Sequence, residues 1–320
     1  MRGYDGGVLI TVTPAPAIDW TLECADFAFG LVHRARAERR EPSGKGVNVS
    51  VALQRAGVPT HAVIAASGEG TDFMGGALDA LNVAHTFTPG GPVRTNVTLL
   101  VDGHPDTKIN TSGVALDAAA CDALVEGIAA FPDADAVLAA GSLPPGTDAE
   151  LHARLVTRAR ELGRYTAVDT SGHALAAAVR AAPDLIKPNA HELAELTGAS
   201  LRTFGDVRDA ARGVREQFGI GTVLVSLGAD GALLVDGVGE IWAGARPDAV
   251  VNAVGAGDAM LAGFLAARAD RAEAIRTAVR WGASAVAHPT TLFAVLPEHR
   301  LEQWSTVEID WTRAIQSDSD

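Results

Sequence analysis

Cysteine is nearly absent: Cys24 and Cys121 are the only two in 320 residues. Two thiols cannot build a disulfide framework, and their spacing fits no metal-binding pattern, so both read as packing residues in a reducing compartment. The sequence also lacks any run of 18 or more apolar residues, which argues against a membrane-spanning helix. The short apolar stretch from Val8 to Val12 runs into prolines instead of a cleavage signal, so the chain reads as unexported and cytoplasmic. Basic residues are in deficit, 26 Lys and Arg against 39 Asp and Glu, for a formal charge of -13. Binding a nucleic-acid backbone needs a local surplus of cations, so that class of partner is disfavoured together with membranes.

What is present suits one large α/β domain over residues 1–320, because 48% of the chain is hydrophobic. Apolar runs of strand length (Ala62–Ala66, Ala136–Ala140, Thr166–Asp169, Leu185–Lys187, Thr222–Ser226) alternate with alanine-rich stretches of helical period (Asp117–Ala129, Leu151–Glu161, Ala259–Ala267). That alternation predicts a mostly parallel sheet with helices on both faces. Two segments depart from it. Residues around 18–42 and 93–110 carry short strand-like runs and turn signals such as Asp102-Gly103, with no helix between them. They predict a small antiparallel sheet projecting from the core as a lid over a ligand cleft, with one face and an edge free for a homodimer contact. The first of them holds a basic island, His33, Arg34, Arg36, Arg39, Arg40 and then Lys45, which either attracts a small anion or shields a strand edge.

The sharpest chemical signal is the run from Val251 to Met260, with Gly255, Ala256, Gly257 and Asp258 at its centre. A small-residue turn entering an apolar helix leaves backbone N–H groups unobstructed, which makes an anion hole for a transferring phosphoryl group. Asp258 in that hole can take the proton of an attacking hydroxyl, and the helix end favours its ionised form. The same residues would also serve as an ordinary helix cap. Rival motifs fail on spelling. Met260 stands where a dinucleotide fingerprint needs its third glycine, and Gly44-Lys45 has Arg39 and Gly46 where a Walker loop needs Gly and Ser or Thr. Glu195 replaces the second histidine of a zinc-protease motif begun by His191-Glu192.

The turn at Asp258, together with the run from Gly44 to Ala52, resembles the two signatures of the PfkB carbohydrate kinases. Between them, Gly141-Ser142-Leu143-Pro144-Pro145-Gly146, Asp169-Thr170-Ser171-Gly172 and the run from Leu185 to Leu193 resemble the hexose-phosphate branch of that family, which contains 1-phosphofructokinase and tagatose-6-phosphate kinase. The likeness runs in order from about Val8 to Ala287. It implies a ribokinase-like fold and phosphoryl transfer from ATP with Mg²⁺ to a small sugar phosphate.

The resemblance also implies roles residue by residue. Asp258 matches the family's catalytic base, and Gly255, Ala256 and Gly257 match its anion hole. Asn189 and Glu192 match an Asn-x-x-Glu motif that holds Mg²⁺ and the phosphates, often through water, although Asn189 also suits a helix N-cap. Ser226, Gly228 and Gly231 resemble the strand-turn-strand under the nucleotide, and Lys187 matches a position near its phosphates. On the acceptor side, Asp19 matches the aspartate that binds sugar hydroxyls, with Gly44 and Asn48 approaching the sugar closely. Lys45, Arg94 and Lys108 are expected to meet the phosphate already on the substrate. The implied substrate is fructose 1-phosphate, with tagatose 6-phosphate and fructose 6-phosphate as alternatives and a non-catalytic metabolite sensor as a further one. The chain departs from the branch at Pro14-Ala15-Pro16, Ser43, Ala253 and Ala259. These changes touch the sugar pocket and the flanks of the catalytic turn, and they remove no proton-transfer or metal-binding group.

Overall fold

A strand covered by helices on both faces must be apolar throughout, and the segments that form the central sheet are. The computed structural model describes residues 6–288, 290, 295–297 and 300–316. Seven strands run parallel in the order β5 (Ala84–Thr88), β4 (Thr60–Ala65), β1 (Val8–Thr13), β8 (Ala134–Ala140), β9 (Tyr165–Asp169), β10 (Leu185–Ile186) and β11 (Thr222–Ser226). Three antiparallel strands, β12 (Ala232–Val235), β13 (Glu240–Pro247) and β14 (Leu301–Thr306), extend the sheet beyond β11. On β1, Leu9 points into one helical layer while Ile10 and Val12 point into the other. The first layer includes α1 (Lys45–Arg55), α8 (Ala256–Ala266) and α9 (Arg271–Val286). The second includes α3 (Ala118–Gly127), α4 (Leu151–Glu161), α5 (Gly172–Ala178), α6 (Ala190–Thr197) and α7 (Phe204–Phe218), while α2 (Thr71–Ala80) packs against α1 and β4.

The strand order reverses at β1, which has β4 on one side and β8 on the other. Connections diverge there and leave a crevice at the carboxyl ends of the strands, where α/β proteins place their ligands. Asp169 ends β9, Lys187 follows β10, and Ser226 ends β11, so all three stand on that edge.

Above the edge lies a separate four-stranded sheet in the order β3 (Ala37–Ser43), β2 (Ala17–Cys24), β6 (Arg94–Val101) and β7 (Thr107–Asn110). It is mixed and not wholly antiparallel as expected, because β2 and β6 pair in parallel. The reason is topological. β2 leaves the carboxyl end of β1 and β6 follows the carboxyl end of β5, so both chains exit the core in the same direction.

Candidate active site

Helix α8 begins at Gly255, whose φ of 78° lies in the left-handed region that glycine enters without strain. No side chain caps this helix; Ala256 N donates to Ala253 O at 3.3 Å, and the amides of Gly257 and Asp258 are left to the crevice. Helix α1 begins at Gly44, with φ 124°; a Cβ there would lie 2.8 Å from Thr13 Cγ2 and 3.3 Å from Pro16 Cα. Gly44 therefore lets α1 start tightly against the end of β1, which sets Lys45 and Asn48 at the crevice.

These two helix starts meet through Asn48, whose Nδ2 donates to Asp258 Oδ2 at 2.7 Å. Asp258 is only 8% exposed. Burial, followed by the nearby Asp169 carboxylate, pushes its pKa up to about 6, against the pull of Lys45, Asn48 and Lys187. Desolvation of the carboxylate is the largest of these effects, a cause the sequence did not show. Such a carboxyl group is tuned close to neutral pH, where a general base works best.

Asp169 is the charge that organises the centre. It is 1% exposed, and its Oδ1 takes Lys45 Nζ at 2.9 Å and Lys187 Nζ at 3.5 Å. Burial alone would raise its pKa, but the two ammonium groups prevail and hold it below the usual range. Burial likewise opposes the charge on Lys45, yet Asp169 and Asp258 outweigh it and keep that amine protonated. Lys187 also stands at the start of α8, since a Cβ on Gly257 would lie 3.5 Å from its Nζ. The structure thus gathers Lys45 with Asp169, Lys187 and Asp258.

Beyond β10, Asn189 caps α6 and forms a reciprocal box with Glu192. Asn189 Oδ1 accepts from Glu192 N at 2.7 Å, and Glu192 Oε2 accepts from Asn189 N at 2.9 Å. Asn189 bridges Ser226, whose N–H donates to Pro188 O at 3.0 Å. Gly228 opens the single turn from Gly228 to Asp230 and Gly231 follows it, joining β11 to β12. Among the described residues no group of three His, Cys, Asp or Glu side chains converges to hold a resident metal. One or two carboxylates with water suffice for a Mg²⁺ that arrives on a nucleotide, and Glu192 with Asp169, whose Oδ2 is buried without a hydrogen bond, fits that donor set.

Beside the small sheet, a cavity of about 320 Å³ lies between it and Val251, Asn252 and Val254. Asp19, Thr21 and Glu23 of β2 line it, facing Arg39 and Glu41 of β3. Asp19 Oδ1 accepts from Asn96 Nδ2 at 2.9 Å. Arg94 shares the Asn96 face of β6, and its Nε is buried without a hydrogen bond. Lys108 is exposed on β7 and does not line the cavity. The basic island is largely answered from within. Arg36 grips Asp102 through two 2.7 Å bonds, Arg39 meets Glu41 at 3.1 Å, and Arg40 lies 4.3 Å over the Trp20 ring.

The pfkB family carbohydrate kinase signature matches residues 12–298. The chain belongs to the PfkB family of carbohydrate kinases. It is 36% identical over 294 residues to 1-phosphofructokinase of Rhodobacter capsulatus, covering 87% of this chain and 90% of that one. Phosphofructokinase-2 of Escherichia coli, solved with potassium, superposes with a TM-score of 0.84 at 29% identity over 90% of this chain and 95% of that one. Arabidopsis thaliana ribokinase, complexed with ribose and ATP, shares the fold at TM-score 0.72 and 20% identity over 90% and 95% of the two chains. The protein is a sugar kinase with a ribokinase-like fold.

The PfkB motifs pointed to most of these positions, but not to how the charges interlock. Asp169 was visible only as part of a motif; the signal that marks it is an acid at the carboxyl end of an apolar parallel strand, on the edge that faces the crevice. His152 gave no signal at all. It is wholly buried on α4, and since a carbonyl only accepts, its Nε2–H donates to Gly141 O at 2.9 Å. Burial holds its pKa down to about 4, so it stays neutral. Thr170 Oγ1 donates to the same carbonyl at 3.0 Å, and Gly141 N donates to Asp169 O at 2.9 Å. His152 thereby braces the loop that carries Asp169.

Proposed function

We propose that the protein is a 1-phosphofructokinase, transferring the γ-phosphoryl group of MgATP to the 6-hydroxyl of fructose 1-phosphate. The observation that carries this reading is a buried carboxylate, Asp258, tuned to about 6 at an uncapped helix start with Lys45 and Lys187 beside it. A base, an anion hole and two cations are what an in-line phosphoryl transfer needs. The relatedness to 1-phosphofructokinase supports the acceptor, as does a cation, Arg94, on the cavity side of β6.

In this mechanism Asp19 and Asn96 orient the sugar hydroxyls and Arg94 pairs with the phosphate already present. Asp258 takes the proton of the attacking hydroxyl while the start of α8, with the open Gly257 amide, receives the transferring group and ADP departs. Lys45 and Lys187 neutralise charge on the phosphates, with Asp169 holding both in place. When bound, Mg²⁺ would add charge neutralisation on the nucleotide phosphates, with Glu192, Asp169 and Asn189 reaching it directly or through water. Ser226, Gly228 and Gly231 seat the nucleotide. The small sheet acts as a lid that excludes water and so protects ATP from hydrolysis.

The lid also supports a homodimer. Trp20, Leu22, Val97 and Leu99 alternate with the cavity-lining residues and so lie on its outer face, where Ile109 is 59% exposed. Sedimentation of the Ile109→Asp variant as monomer, with wild type as dimer, tests this. The setting that suits such an enzyme is the cytoplasm; no helix among the described residues is long and apolar enough to cross a membrane.

The function is tested by ADP release with MgATP and fructose 1-phosphate, fructose 6-phosphate, tagatose 6-phosphate, fructose, ribose or adenosine. A preference for fructose 1-phosphate supports the reading. A preference for either 6-phosphate reassigns the acceptor, and no turnover from folded, ATP-binding protein points to a sensor.

A further inference from the structure

The PfkB signature ends at residue 298, yet the chain continues and returns to the turn from Gly228 to Asp230. Ile309, Trp311 and Ile315 pack on the core. Within this segment the carbonyls of Trp311 and Arg313 accept from Gly205 N and Phe204 N, each at 2.9 Å, and so satisfy open amides at the start of α7. Ile315 N donates to Arg202 O at 3.0 Å. The segment is therefore docked by backbone bonds as well as by apolar contact.

Its polar end closes on one side chain. Asp230 is 1% exposed; Arg313 Nη2 donates to its Oδ1 at 2.6 Å, and Gln316 N donates to its Oδ2 at 2.7 Å. Trp242 Nε1 donates to the Asp230 carbonyl at 2.7 Å. The Arg313 guanidinium lies 4.6 Å over the Trp242 ring and 5.2 Å from the Phe204 ring, which keeps its fork in place. A carboxylate this deeply buried is tolerated only while its partners remain. The shape of the turn and the docking of the C-terminal segment are thus one cooperative unit.

We infer that residues 309–316 form a strap that fixes the nucleotide-binding turn, with Arg313 as a positioning residue acting through Asp230. This rests on the reading of Gly228 and Gly231 as nucleotide contacts. Without the strap, the Asp230 carboxylate turns to water and the turn must be re-ordered each time ATP binds. The cost is borne by nucleotide affinity and not by the acceptor.

The test compares Arg313→Met, Arg313→Lys and Asp230→Asn with wild type for kcat, for KM of ATP and of fructose 1-phosphate, and for melting without ligand. The strap predicts that Arg313→Met raises the KM for ATP about tenfold, the equivalent of ordering one backbone residue, with the acceptor KM within about twofold. Arg313→Lys recovers part of the loss, because it restores the charge without the fork. Should Arg313→Met not fold, the Lys and Asn variants carry the same comparison. A folded Arg313→Met protein with wild-type KM for ATP overturns the strap. Hydrogen exchange of residues 227–232 with adenylyl imidodiphosphate separates the two ways of failing. Protection of the turn in wild type, with unaltered nucleotide binding in the variants, defeats the strap alone, whereas no protection defeats the nucleotide reading and the strap with it.

Discussion

Replacing Asp258 with Asn should abolish most turnover and, at the same time, stabilise the protein. In the unfolded chain this carboxyl group gives up its proton near pH 3.8, and in the folded protein near 6. Between those values the folded state holds more protons than the unfolded one, so stability falls as pH rises through the window. Above it the buried charge costs about 3 kcal/mol. Asn removes the charge and its repulsion from Asp169, yet keeps an oxygen for Asn48 Nδ2. At pH 8 the variant should gain up to about 3 kcal/mol, which raises the melting temperature by about 4–6 °C in a domain of this size. The gain should be about half as large at pH 5 and fall to about a fifth by pH 4. Loss of the base should lower kcat by about 10²–10⁴-fold. Scanning calorimetry of both proteins from pH 4 to 8 reads the first effect and initial rates read the second. A variant that melts at or below the wild-type temperature at pH 8, or whose gain does not depend on pH, refutes the reasoning that ties the base to burial.

Other residues give separate readouts. Asp169→Asn removes a negative neighbour of Asp258 and should move the acid limb of kcat/KM to lower pH, whereas Lys45→Met removes a positive one and should move it higher; residual-activity pH profiles compare the directions. Arg94→Ala should raise the KM for the sugar phosphate by about 10–150-fold, the worth of a charged hydrogen bond, and leave the KM for ATP within about twofold. His152 stays neutral in the fold down to about pH 4 but takes a proton near 6.5 when unfolded, so it contributes stability above pH 6.5 that is lost as pH falls toward 4, about 3 kcal/mol in all. In the Asp258→Asn background, where the opposing carboxylate is gone, a His152→Gln variant should flatten that acid loss in calorimetry.

The alternation of apolar runs and alanine-rich stretches located the parallel core because both patterns follow from burial, and α4 spans Leu151–Glu161 as read from the sequence. The direction of β6 was not legible: two strands from distant segments carry no sign of their pairing, which depends on both leaving the same edge of the core. Gly255 and Asp258 were legible because a small-residue turn before an apolar helix limits what the backbone can do. The grouping of Lys45 with Lys187 was not, since 142 residues separate them and only the Asp169 carboxylate at the end of β9 draws them together. A buried histidine such as His152 looks like any other in a one-dimensional pattern, and its role rests on a carbonyl brought to it by the fold.

Whether this site phosphorylates a sugar already carrying a phosphate is read out by ³¹P NMR of the wild-type protein with MgATP and fructose 1-phosphate, alongside the Asp258→Asn variant. The γ-phosphate resonance of ATP should give way to that of a second phosphomonoester, at the 6-position of the same sugar, in the wild type alone. Release of free inorganic phosphate in its place, or equal conversion by the variant, would contradict phosphorylation by this site.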